Sequence, residues 1–253
     1  MPKKLFIDSP YGKVCVSYQA VAGGRSAAIL AHGFNSNKDT KVNKVLVDRL
    51  SEKGISTIAL DLYGHGESAG SIETLTLRKA VSGFLAAYDF ATAEGFEKIG
   101  ISGSSFSGGV SLLAASERVF SAVALRCPLI NYRELWEVRL GPDGIRKWRA
   151  SGFAQPFAYA DGHKLGYAAY EDVCSIDMRQ TFGRINAPVL AIHGTADAQV
   201  SPKNSEEVAH SVAGEKRLVL IEGADHVFTN PSHFERMVSE VCDWFAGKLA
   251  LGR

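Results

Sequence analysis

The chain has 253 residues, 46% of them hydrophobic and 22% charged, with a formal net charge of +1. That suits one globular α/β domain, with or without an inserted subdomain. Lys and Arg are scattered, leaving no basic stripe for nucleic acid, and no apolar run reaches the length of a membrane span.

In chain order, alternating segments at Lys4–Asp8 and Lys13–Tyr18 flank Ser9-Pro10-Tyr11-Gly12 and predict a hairpin. The Leu5-Phe6-Ile7 run is cut short by Asp8, too early for a signal peptide, so the expected compartment is the cytoplasm. Residues 27–31 form a continuous apolar strand that ends in His32-Gly33-Phe34. Val42, Val45, Leu46 and Leu50 mark a helical face that Gly54 stops. Ile55–Leu60 is a second buried strand, ending in Asp61-Leu62-Tyr63-Gly64-His65-Gly66-Glu67-Ser68. A helix with Leu77, Val81, Phe84, Leu85 and Tyr88 on one face follows, then strands beginning at Ile99 and at Ala122. Strands alternating with amphipathic helices predict a mostly parallel sheet covered on both faces, with every parallel strand opening at one edge.

The rhythm breaks between Cys127-Pro128 and Gly183. Residues 128–183 are expected to fold as a cap inserted over the strand ends of a core made of 1–127 and 184–253. Asp161-Gly162, between Phe157-Ala158-Tyr159 and Lys164-Leu165, predicts a hairpin within that cap. The rhythm resumes with strands at Pro188–Ile192 and Arg217–Ile221, and with helices opened by Ser201-Pro202 and Asn230-Pro231. The four cysteines, at 15, 127, 174 and 242, have no metal-ligand spacing and are expected as buried free thiols; no metal or cofactor is expected.

The segment Gly103-Ser104-Ser105-Phe106-Ser107 turns the Ile99 strand into a helix. A Ser at such a turn, flanked two residues away by small residues, reads as a nucleophile elbow of the form G-x-S-x-G, with Ser107 departing from the second Gly. Of Ser102, Ser104, Ser105 and Ser107, only Ser105 has Gly two before it and a small residue two after. Asp197 and His226 follow two later strands. A Ser hydroxyl needs a base to take its proton; His226 is placed to be that base, and Asp197 to hold its tautomer. Asp225 adjoins His226 and would point elsewhere, whereas Asp61 is expected to organise its own loop. His32, His65 and His193 are expected as local hydrogen-bonding residues. The backbone N–H groups of Phe34 and Phe106 are the expected oxyanion donors.

Together, H-G-F (32–34), D-L-Y-G-H-G-E-S (61–68), G-S-S-F-S-G-G (103–109), H-G-T-A-D-A-Q-V (193–200) and G-A-D-H (223–226) resemble the α/β-hydrolase family over nearly the whole chain. The resemblance implies an α/β-hydrolase fold and a Ser105, Asp197, His226 triad. A Ser nucleophile disfavours the dehalogenase and epoxide-hydrolase branches. What remains is acyl transfer to water, and the expected activity is hydrolysis of a small-molecule carboxylic ester. The alternatives are an acyl thioesterase, a feruloyl- or cinnamoyl-type esterase, and a non-catalytic ligand-binding hydrolase fold. Asp161–Gly166 is similar to a cap stretch of the acyl-carrier thioesterases of luminous bacteria. The aromatics of 128–183 (Trp136, Trp148, Phe153, Phe157, Tyr159, Tyr167, Tyr170) suggest an apolar acyl or aryl pocket, or else the core of the cap itself.

Overall fold

The computed structural model describes residues 2–157 and 162–250. The strands are β1 (Lys3–Ser9), β2 (Gly12–Gln19), β3 (Ser26–Ala31), β4 (Ser56–Leu60), β5 (Lys98–Ser104), β6 (Ala122–Arg126), β7 (Phe153–Ala154), β8 (Leu165–Gly166), β9 (Val189–Gly194) and β10 (Lys216–Ile221). The helices are α1 (Lys41–Glu52), α2 (Leu77–Ala93), α3 (Phe106–Glu117), α4 (Tyr132–Ser151), α5 (Tyr167–Cys174), α6 (Met178–Phe182), α7 (Lys203–Ser211) and α8 (Pro231–Leu249). Eight strands make one sheet in the order β1-β2-β4-β3-β5-β6-β9-β10. It is parallel from β4 to β10, and the β1–β2 hairpin pairs antiparallel along the β4 edge.

The apolar runs are continuous because the central strands are covered on both faces. Ile29, Ile58, Ile101, Val123 and Leu125 point into the core under α2 and α3. Their neighbours Ala28, Leu30, Ala59, Ala124 and Leu190 point the other way, under α1 and α8. Small residues on this second face let the helices come close. At Gly100 a Cβ would lie 2.6 Å from the Phe245 ring, so glycine there lets α8 sit against β5. Thr40 caps α1 by accepting the Asn43 N–H at 3.2 Å, and Thr76 caps α2 through Lys79 at 3.2 Å; such caps contribute about 1 kcal/mol each. At α8, Asn230 accepts the Ser232 N–H and Pro231 opens the helix, as the sequence predicts.

Between β6 and β9 the chain leaves the sheet. The helix α4 is broken at Gly141-Pro142, where Gly141 takes φ 63° and Pro142 lacks an N–H to continue the ladder. The short hairpin here differs from the expected one: Phe153 pairs with Gly166 and Ala154 with Leu165, four residues earlier on the first strand than predicted. The reason is packing, because Phe157 is buried against the core instead of continuing a strand. Ala158 and Tyr159 of the predicted first strand and Asp161 of the predicted turn lie outside the described residues; Gly162 has the positive φ of 83° that a turn needs. Three cysteines are buried, but Cys174 is exposed at the end of α5, correcting the expectation for that residue. Among the described residues, no helix is long and apolar enough to cross a membrane.

Candidate active site

Right-handed crossovers bring the ends of β3, β5, β6 and β9 to one edge, and the predicted residues gather there. Ser105 joins β5 to α3 with φ 51° and ψ −115°, a left-handed conformation rare for any residue with a side chain. Surrounding bonds hold it there. Its N–H donates to the Arg126 carbonyl at 2.9 Å, and its carbonyl accepts the N–H groups of Gly108 and Leu129, each at 2.9 Å. The departure from G-x-S-x-G has a structural use: the Ser107 hydroxyl accepts the Ser104 N–H at 2.8 Å and donates back to the Ser104 carbonyl at 3.1 Å. Gly103, by contrast, has no room for a side chain, since an added Cβ would overlap the Ser107 carbonyl and the Ser111 hydroxyl.

Asp197 and His226 meet, with His226 Nδ1 2.6 Å from Asp197 Oδ2. A carboxylate accepts only, so Nδ1 carries the proton and Nε2 is left free as an acceptor. The other oxygen of Asp197 accepts the N–H groups of Gln199 (2.8 Å) and Val200 (2.9 Å). His193 supplies a further donor. Its Nε2 lies 3.0 Å from the Val200 carbonyl and 3.1 Å from Asp197 Oδ2, and its Nδ1 lies 2.7 Å from the Ser205 hydroxyl. The carbonyl makes Nε2 the protonated nitrogen. Burial pushes the Asp197 carboxyl up, but its bonds to His193, His226 and Val200 outweigh that and hold it well below its ordinary value.

This depressed group ties stability to pH. Its contribution is complete above the unfolded Asp value of about 3.9 and is lost as pH falls through and below it. Asp197→Asn is expected to destabilise the fold at pH 7 by about 2 kcal/mol, because donors then face an amide. The melting-temperature gap to the natural chain should narrow below about pH 4. A gap of the same size at pH 7 and pH 3 would show that the carboxylate carries no such linkage.

Ser105 and His226 line one cavity of about 310 Å³, together with Gly33, Phe34, Gln199 and Arg126. They share its wall without a direct hydrogen bond among the described residues. A more open depression of about 670 Å³, bordered by α4, α5 and α6, contains none of Ser105, Asp197 or His226. The side chains of Phe34 and Phe106 pack edge to face, with ring centroids 5.8 Å apart. The N–H groups of these two residues donate no backbone hydrogen bond among the described residues.

The loop carrying Phe34 is pinned by partners that the sequence analysis did not pair. His32 Nε2 accepts the Leu62 N–H at 3.1 Å, while its Nδ1 donates to the Gly33 carbonyl at 2.6 Å. His65 Nε2 accepts the Asn35 N–H at 3.1 Å. Burial, with His65 beside it, pushes His32 down to about 3, which keeps the ring neutral and leaves Nε2 able to accept the Leu62 N–H. Asp61, fully buried, accepts the Lys38 N–H at 2.7 Å, the Glu67 N–H at 3.0 Å and the Lys38 ammonium at 3.0 Å. It organises its loop as expected, but through a lysine that no motif marked.

Trp136 and Trp148 pack edge to face at 5.5 Å, and Trp148 Nε1 donates to the Leu165 carbonyl at 2.9 Å. Both belong to the buried cluster that runs on through Tyr132 and Phe106 to the sheet, and the cavity beside Ser105 is lined from outside 128–183. The link between the two is Phe157, stacked on Phe34 at 4.4 Å. Cys127, at φ 44°, brings its thiol near the same site: ligand-type atoms of Cys127, Asp197 and His226 lie within 4.8 Å of one another. Burial, then Asp197, pushes that thiol well up, and a protonated thiol beside a carboxylate already bonded to an imidazole is a poor metal ligand.

Comparison with known proteins agrees with this architecture. The structure of Est1E from Butyrivibrio proteoclasticus with ferulic acid bound superposes with a TM-score of 0.86 at 25% identity, covering 98% of this chain and 100% of that one. Alpha/beta hydrolase domain-containing protein 10 from mouse gives 0.83 at 18% identity, covering 98% and 100%. Two Mycobacterium tuberculosis proteins (strains CDC 1551 and H37Rv), provisionally named phosphoribosyl transferases, are 25% identical over 232 residues. That match takes in 89% of this chain, which spans 42% of the length of those relatives. The alpha/beta hydrolase family model matches residues 28–244, and the chain belongs to that family.

Proposed function

We propose that the protein hydrolyses carboxylic esters through Ser105, with His226 as its base and Asp197 as the residue that orients it. One observation carries this: Ser105, held in a left-handed turn, shares a cavity with an imidazole whose Nδ1 proton is committed to Asp197. That tautomer leaves Nε2 to take the Ser105 proton as Oγ attacks the ester carbonyl. The carbonyl electrons move onto oxygen, which the N–H groups of Phe34 and Phe106 would hold; one such donor is worth about 3 kcal/mol. Collapse expels the alcohol with a proton from His226, and water then releases the acid from Ser105 by the same steps. We read residues 128–183 as a cap, on the support of Phe157 stacked over Phe34.

The cavity's volume, about 310 Å³, suits a short acyl group better than a long chain. An aryl ester of the feruloyl or cinnamoyl type is the second reading, supported by the Est1E likeness and by the Phe34–Phe157 stack. The test is initial rates on p-nitrophenyl esters and acyl thioesters from acetyl to palmitoyl, with feruloyl esters beside them. Short or aryl oxygen esters are expected to lead, and a fluorophosphonate probe should label Ser105. A preference for long thioesters would replace the esterase by a thioesterase. A folded protein with neither turnover nor label would be a ligand-binding member of the family.

A further inference from the structure

Arg126, one of the residues lining the cavity beside Ser105, carries a buried charge without a carboxylate partner among the described residues. Arg126 ends β6 in register with Ser104, and its side chain is 3% exposed. Its Nη2 donates to the Ala31 carbonyl at 2.9 Å and reaches Asn43 Oδ1 at 3.5 Å. Nε has no acceptor, and no carboxylate pairs with this guanidinium among the described residues. The lining of the cavity, to which Arg126 contributes, contains no Asp or Glu. Thr40 and Val42 bring the N-terminal end of α1 to the same wall, and the first turn of that helix has no acidic residue. A guanidinium taken out of water needs a counter-ion, and here the protein supplies none. Burial pushes it down to about 10, which still leaves it charged at neutral pH.

We infer that the cavity takes the anionic end of the substrate: an ester that carries a second, ionised carboxylate, with Arg126 as its counter-ion. A carboxylate matches the planar guanidinium, and its single charge matches the single cation. This deepens the ester-hydrolase reading and rests on it. One ester bond is broken by water, and the second carboxylate is unchanged.

The test compares matched pairs: monoethyl succinate, glutarate and adipate against ethyl butyrate, valerate and hexanoate, and 4-acetoxybenzoate against phenyl acetate. The natural protein should favour the charged member of at least one pair by tenfold or more in kcat/KM. That ratio should collapse in Arg126→Gln and be partly kept in Arg126→Lys. In parallel, glutarate at millimolar concentration should raise the melting temperature of the natural protein above a sodium chloride control of equal ionic strength. Neutral members favoured in every pair, or a ratio unchanged in Arg126→Gln, would overturn the inference. Should no ester be hydrolysed, the hydrolase reading falls, and the glutarate shift alone decides the anion site: its presence supports the site, its absence removes it. That measurement needs only the natural protein, so a variant that fails to fold cannot obscure the result.

Discussion

Replacing Ser105 by Ala is expected to lower turnover of the best ester on the order of 10⁵-fold and to abolish fluorophosphonate labelling. Stability should hardly change, because Ala keeps the Cβ that makes φ 51° costly. The bonds that impose this conformation, to Arg126, Gly108 and Leu129, are all made by backbone and survive the substitution. Ser105→Gly separates the two effects. It removes the hydroxyl and the strain together, and strain of this kind costs about 1–3 kcal/mol. Ser105→Gly should therefore be as inactive as Ser105→Ala yet melt a few degrees higher. Steady-state kinetics and calorimetry on both variants check this. A pure Ser105→Ala sample that kept more than about one part in a hundred of its turnover would remove Ser105 from the mechanism.

The largest loss of stability is expected at Asp61. Its carboxylate is fully buried and accepts three bonds, two from backbone N–H groups and one from the Lys38 ammonium. Burial pulls Lys38 down, but bonds to Asp61 and Glu67 outweigh this and hold its ammonium above the ordinary value. Asp61→Ala leaves that ammonium buried with only Asp39 and Glu67, both half exposed, and orphans the two N–H groups. Removing one partner of a buried pair costs about 3–5 kcal/mol. For a chain of this size that lowers the melting temperature by roughly 6–20 °C. Lys38→Met should cost less, since Asp61 then keeps both backbone donors. Because Lys38 closes the loop that carries Phe34, both variants should lower kcat more than they raise KM. An Asp61→Ala protein melting within about 1 °C of the natural chain would refute the pairing.

The hydrolase core was legible in the sequence because its signals are local. A parallel strand covered on both faces is an unbroken apolar run, as at 27–31, and the runs at 27–31, 55–60, 188–192 and 217–221 lead into turns that contain Gly. Ser105 could be picked from four nearby serines because the elbow demands Gly at 103, and the structure shows why: no Cβ fits there. Ser107 was visible only as a departure, since its two bonds to Ser104 depend on how α3 leaves the turn. The inserted segment was the least legible part. Its hairpin forms at 153–154 and 165–166 because burying Phe157 on Phe34 and pairing Trp136 with Trp148 outweigh the local turn signal.

What the sequence determined by itself was the order of strands and helices outside 128–183 and the sharp strand-to-helix turn at Ser105. These follow from periodicity and from the sterics of a few adjacent residues. The tertiary structure alone decided which side chains meet across the loops: Asp61 with Lys38, His193 with Asp197 and Ser205, Cys127 beside Asp197, and Arg126 without a counter-ion. Those meetings join residues separated by anything from 4 to 70 positions, through loops whose course is set by packing. Whether a buried charge finds a partner there depends on three-dimensional proximity and desolvation, and neither leaves a periodic trace in the chain.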